Sequence, residues 1–136
     1  MSNADLALKL LQLNASAPFN RWAGFEIVSA DAGKVALRMG WKEDAAQYAG
    51  FLHAGMIGAL IDTACGFAAF TQAGRVLASH FSVNCLAPAV GVAFHCTGEV
   101  VKIGKRQIFT RAELFAETED GNRKLVATGE TILMPA

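Results

Sequence analysis

One carboxylate, Asp62, stands in an otherwise apolar stretch that runs from Ala54 to about Phe70. A carboxylate can work as general base, general acid or nucleophile. On a helical period its neighbours are Gly55, Gly58, Ala59, Cys65 and Gly66, all of them small. Glycine inside a helix costs roughly 1 kcal/mol relative to alanine, so the face around Asp62 has been cleared at a cost. Either another backbone packs closely there or a ligand lies against it. The plainer alternative is a buried aspartate satisfied by a backbone N–H or a hydroxyl, which still requires a partner, because a lone buried charge is expensive. His53 opens the same stretch and, taken alone, reads as a capping or packing residue. Gln47 lies just upstream, in a turn rich in polar and glycine residues.

The elements that position these residues follow from periodicity and turn chemistry. The stretch around Asp62 has almost no polar face, so it reads as a central helix over residues 53–71, wrapped on all sides. It is interrupted by a carboxylate and shorter than the ~20 apolar residues of a membrane span. Residues 1–18 read as a short amphipathic helix and its connection, with Asn14 to Pro18 ending the helix. Phe25 to Ser29 and Lys34 to Trp41 read as strands joined by a turn at Asp31-Ala32-Gly33. After a glycine stop at Gly74 come four more: Val76–Leu86, Val92–Ile103, Gln107–Glu117 and Lys124–Leu133, expected to form an antiparallel meander. The expected class is α+β, with a sheet of about six strands curved around one helix.

Composition narrows the function classes. The chain has 136 residues, which suits one domain. Only 18% are charged and 53% are hydrophobic, against a usual charged share of ~25%. So apolar a surface points to a homo-oligomer. Net charge is zero without a basic block, which argues against nucleic acid as a partner. Cys65, Cys85 and Cys96 are scattered and lack metal-ligand spacing, so they read as free buried thiols in a reducing cytoplasm. No metal or cofactor is expected, no signal peptide is visible, and no membrane partner is expected.

Gln47-x-x-Gly50-Phe51-Leu52-His53-Ala54-Gly55, with Asp62 eight residues beyond Ala54, resembles the hot-dog fold thioesterases, in the branch of the PaaI-like and 4-hydroxybenzoyl-CoA enzymes. Their pattern carries Gly-Gly where Ala54-Gly55 stands here. Val83-Asn84-Cys85-Leu86-Ala87-Pro88-Ala89 and Gly104-Lys105-Arg106 resemble two further segments of that family, so the likeness runs from about Phe19 to Leu133. It departs where Ala78 stands in place of a hydroxyl residue, which neighbouring Ser79 replaces only through a register slip, and where Ala87 replaces an arginine.

The resemblance implies a single hot-dog domain that hydrolyses an acyl- or aryl-acyl-CoA thioester, with coenzyme A as part of the substrate. The Ala54 N–H, with that of Gly55, would polarise the carbonyl. Gln47 and His53 would complete the site, and Asp62 would act as nucleophile or general base. Ala78, Ser79, Asn84, Lys105 and Arg106 would contact the substrate. Geometry adds a condition. Eight residues separate Ala54 and Asp62 by about 12 Å along a helix, too far to meet one carbonyl carbon at ~3 Å. The site should combine two subunits of a dimer, which could pair again into a tetramer. The rival readings are a hot-dog dehydratase or hydratase and a non-catalytic acyl-CoA-binding protein. The first would need a His–carboxylate pair on one substrate, and the second needs no buried carboxylate.

Overall fold

The computed structural model describes residues 2–136. Helix α1 spans Asn3–Ser16 and starts with a reciprocal cap, in which the Ser2 hydroxyl accepts from the Asp5 N–H and the Asp5 carboxylate accepts from the Ser2 N–H. It buries Leu6 and Leu10. Helix α1 ends within Asn14 to Pro18, as expected, but Pro18 itself does not lead into a connection. It opens a second helix, α2, Pro18–Ala23, which Gly24 closes at φ 75°. Proline's fixed φ suits the first helical position as well as a stop, and here it serves as the former.

Strands β1 (Glu26–Asp31) and β2 (Lys34–Gly40) form a hairpin. Its Gly33 N–H donates to Thr71 Oγ1 at 2.7 Å, tying the turn to the far end of helix α3. A short 3-10 turn over Glu43–Ala45 leads into α3, Ala54–Ala73, with His53 as its N-cap and Gly74 as its C-cap. The rest is β3 (Val76–Cys85), β4 (Ala93–Ile103), β5 (Ile108–Glu117) and β6 (Arg123–Pro135).

All strand pairs are antiparallel, in the order β1-β2-β4-β5-β6-β3. The expected meander holds for β4, β5 and β6 only. β3 crosses to the far edge and pairs with β6, because α3 lies between β2 and β3 in the chain and carries it across the sheet. At 20 residues, α3 is also longer than expected, and by length and composition it is long and apolar enough to cross a membrane. In this fold the sheet encloses it: α3 packs on β4 and also meets β2, β3, β5 and β6.

The closeness of that packing explains part of the small-residue pattern. A Cβ on Gly98 of β4 would lie 2.5 Å from the carbonyl carbon and oxygen of Ala64, so helix and strand backbones touch there. Around this contact Leu60, Ile61, Ala64, Cys65 and Ala68 bury against Val35, Leu37, Phe94, Cys96 and Leu114. Phe94 is core, but Phe81 is not. It is 50% exposed on β3, where Leu77 is 66% exposed. Cys85, on the same strand, is exposed as well, whereas Cys65 and Cys96 are buried. β3 therefore offers an unpaired, ten-residue edge with apolar side chains on it.

Candidate active site

Asp62 is half-buried at the side of a cavity of about 550 Å³, with Thr63, Gly66, Phe67, Phe70, Arg75 and Ala78 among its walls. Burial pushes its carboxyl above the ordinary value, and desolvation is the only cause acting on it. No hydrogen bond or ion pair reaches the carboxylate among the described residues, so the plainer reading of an internally satisfied aspartate does not hold. The glycines of this helix have separate uses. A Cβ on Gly58 would press on the Phe81 ring at 3.2 Å, whereas Gly66 is held by nothing tighter than Leu133 at 3.8 Å. Gly66 leaves space beside Asp62; Gly58 seats a side chain.

The start of α3 borders a different cavity, of about 470 Å³, lined by Gln47, His53, Ala54, Ile57, Cys85 and Pro88 among others. His53 Nδ1 accepts from the Gly55 N–H at 2.8 Å. That bond caps the helix, and it fixes the neutral ring as the tautomer with its proton on Nε2. It also occupies the Gly55 N–H in this structure, against the expectation that both N–H groups stand ready. The Ala54 N–H has no partner among the described residues. With the helix dipole behind it, this donor suits a developing negative charge. Gln47 accepts from the Ala49 N–H through its side-chain oxygen, which folds the amide into its own turn.

One chain thus keeps Ala54 and Asp62 in separate cavities. The remaining expected residues divide. Ala78 lines the Asp62 cavity. Ser79 is the extra residue of a β-bulge between Ala78 and His80, and its hydroxyl donates to the Ile132 carbonyl at 3.2 Å. The register does slip there, yet Ser79 gains no place in the cavity. The hydroxyl beside Asp62 belongs to Thr63, its neighbour in sequence. Asn84 lies on the outer face of the sheet, in a hollow of about 530 Å³ with Lys34, Glu99, Arg111, Glu113 and Glu130. Strand alternation puts it opposite Val83, which faces Gly58. That hollow is polar, and its Arg111 is bonded to Glu99 at 2.7 Å. It has neither a free helix terminus nor a desolvated carboxylate, so it is not the reactive centre.

Lys105 and Arg106 sit exposed in the β4–β5 hairpin and line none of these cavities. Pairing carries one row from Ile103 through Ile108 and Leu133 to Ala78, so the hairpin occupies the same end of the sheet as the Asp62 cavity. Leu13, Asn20, Phe67 and Phe70 also wall that cavity. Phe67 is at the same time buried core, and Phe70 packs half-buried against it. His80 is exposed, and His95 Nε2 is paired with Glu117 at 2.8 Å. Burial pushes the Cys65 thiol up, away from thiolate formation. Among the described residues no cluster of three or more metal-ligating side chains exists.

The sequence profile of the Thioesterase superfamily matches residues 49–121, which include Ala54 and Asp62. The chain belongs to that superfamily. A crystal structure of a thioesterase family protein from Silicibacter pomeroyi is 36% identical, with a TM-score of 0.90 over 95% of this chain and 96% of its own. The E. coli PaaI protein from the phenylacetic acid degradation operon shares 20% identity, covers 99% of this chain and 96% of its own, and superposes at 0.87. Zebrafish thioesterase superfamily member 2 covers 100% and 99% respectively, at 24% identity and 0.82. Both of the latter are likenesses of fold. No curated protein matches the chain. The architecture is that of the hot-dog thioesterases, and membership of the superfamily supports a thioesterase type of function in general terms.

Proposed function

We propose that this thioesterase-superfamily chain hydrolyses an acyl- or aryl-acyl-CoA thioester to the free acid and coenzyme A. The observation that carries the reading is the pairing of two unpartnered groups of opposite use: the Asp62 carboxylate, desolvated and unbonded, and the Ala54 N–H at a helix start. The carbonyl oxygen would accept from the Ala54 N–H. Asp62 would either take a proton from a water that attacks the carbonyl carbon, or attack that carbon itself and be released by water. In both routes the C–S bond breaks and the coenzyme A thiolate leaves and is protonated. Gln47 would orient the thioester or the water through its amide.

Because one chain keeps the two groups apart, the proposed site is shared. The unpaired edge of β3, with Leu77 and Phe81 exposed, is the surface a second copy would cover. A two-fold pair would hold two sites, each with a helix start from one subunit and Asp62 of the partner subunit. The cationic hairpin at Lys105 and Arg106 would meet the phosphates of coenzyme A, and the free thiols suit a reducing cytoplasm.

Free thiol release from a panel of acyl-CoA esters tests the reaction. Asp62→Asn should retain binding and lose roughly 10²–10⁴-fold in rate. A variant that releases thiol as fast as wild type would end the assignment. Water addition to an enoyl-CoA, or binding without turnover, would favour the rival readings.

A further inference from the structure

The backbone just before Ala54 is held from two sides, and one of them traces back to a contact outside the site. The His53 N–H donates to the Ala45 carbonyl at 2.9 Å, and the Leu52 N–H donates to the Ala89 carbonyl at 3.1 Å. Leu52 and Ala89 are both buried. Ala89 belongs to the loop over residues 86–92, between β3 and β4, and with Leu86, Ala87 and Pro88 it walls the Ala54 cavity. The direction of the Ala54 N–H therefore depends on where this loop places one carbonyl.

The loop does not support itself. Among the described residues, no backbone hydrogen bond joins one of its members to another, so its path is set by what fastens its ends. At the first end, the Leu86 and Ala87 N–H groups both donate to the Val126 carbonyl, at 2.8 and 3.2 Å. At the second, the Val92 N–H donates to the Glu117 carbonyl at 2.8 Å. Gly91 lies against the same residue: a Cβ there would stand 2.5 Å from the Glu117 carbonyl oxygen and 3.2 Å from its backbone nitrogen. No positive φ calls for glycine at this position, so closeness alone requires it. Glu117 is fixed in turn by its carboxylate, which meets His95 Nε2 at 2.8 Å and Arg123 Nε at 3.7 Å. The anchor is firm, and Ala89 stands two residues from it.

We infer that Gly91 and Glu117 are positioning residues for the Ala54 N–H. Their backbone contact sets the height of the loop, the loop sets the Ala89 carbonyl, and that carbonyl sets Leu52 at the helix start. This rests on the role proposed above for Ala54 and adds what holds that donor on target. Neither Gly91 nor Glu117 lines the Ala54 cavity, so both act through Ala89 and Leu52. The size of the clash gives the contact its weight. Ordinary atomic contacts lie near ~3.5 Å, so a methyl group at Gly91 would have to push the loop back by about 1 Å. Misplacing a catalytic group by ~1 Å can cost about 100-fold in rate, and part of the shift is absorbed before it reaches Ala54.

Selective labelling reads the donor directly, because His–Ala and Phe–Leu each occur once in the sequence. Protein with carbonyl-labelled histidine and nitrogen-labelled alanine gives a single linked amide signal, that of Ala54. Labelled phenylalanine and leucine give that of Leu52 in the same way. In Gly91→Ala both signals should move, and the Leu52 N–H should exchange with solvent about tenfold faster or more. Its kcat should fall about ten- to a hundredfold, with KM for acyl-CoA held within about twofold. Val90→Gly reaches the same link without adding bulk. Val90 is exposed and lies between the anchor and Ala89, so freedom there should speed the same exchange and lower kcat; should Gly91→Ala fail to fold, this variant decides alone. Unmoved Ala54 and Leu52 signals overturn the inference, as does an unchanged kcat where the signals move. A lowered melting temperature with kcat intact marks a purely structural glycine and overturns it too. If wild type hydrolyses no ester, the hydrolase reading falls, and the two amide signals alone uphold or overturn the positioning.

Discussion

At the scale of the residue, Asp62 carries a pH dependence whose sign follows from its surroundings. Burial raises its carboxyl above the ordinary value, so the folded chain holds that proton more tightly than the unfolded chain does. Its ionisation therefore costs the fold. Stability from this group is fullest below the unfolded value and declines as pH rises toward the raised one. Asp62→Asn should be no less stable than wild type at pH 7, and the difference should vanish in acid; urea midpoints at the two pH values read both. The same raised value should set the acid limb of kcat/KM, shifted upward from that of an ordinary aspartate. The helix start at His53 and the half-buried carboxylate of Asp62 were legible in the sequence, because their spacing survives in one dimension. Leu13 and Asn20 were not, since only folding brings them to the wall of the Asp62 cavity.

At the scale of the element, the contact between α3 and β4 at Gly98 leaves no room for a side chain. Gly98→Ala should cost about 1–3 kcal/mol or more, as overpacking against a backbone that cannot yield usually does; a thermal melt checks this. The β4–β5 hairpin makes a different demand. Reversing Lys105 and Arg106 should raise KM for acyl-CoA roughly two- to fivefold per charge at low salt, with the effect fading as salt rises. An unchanged KM would put carrier docking elsewhere. Strand boundaries came through the sequence within a residue or two, because turns such as Asp31-Ala32-Gly33 and Asp120-Gly121 announce themselves. Strand order did not. Val76–Leu86 read as one strand of a meander, yet much of β3 is open edge, and nothing local to a strand says which neighbour it will take. Pro18 was ambiguous for a similar reason, since the same ring that ends one helix can begin the next.

At the scale of the whole molecule, a shared site predicts complementation between two dead variants. Ala54 is the first helical residue, its N–H bonds nothing within the described residues, and His53 before it is already extended at φ −61° and ψ 139°. Proline accepts both conditions, so Ala54→Pro should fold while losing the oxyanion donor. Refolded together with Asp62→Ala, it should give mixed dimers with one intact site, restoring about a quarter of wild-type activity by random pairing. Mixed dimers confirmed by mass but inactive would place both groups in one chain's site. The open edge of β3 carries a kinetic corollary. A strand completed only by a second copy makes the reaction order in enzyme depend on how much enzyme is present. At high protein the rate should rise in proportion to total chain, and at high dilution with its square, because separation dismantles both half-sites together while each fold persists.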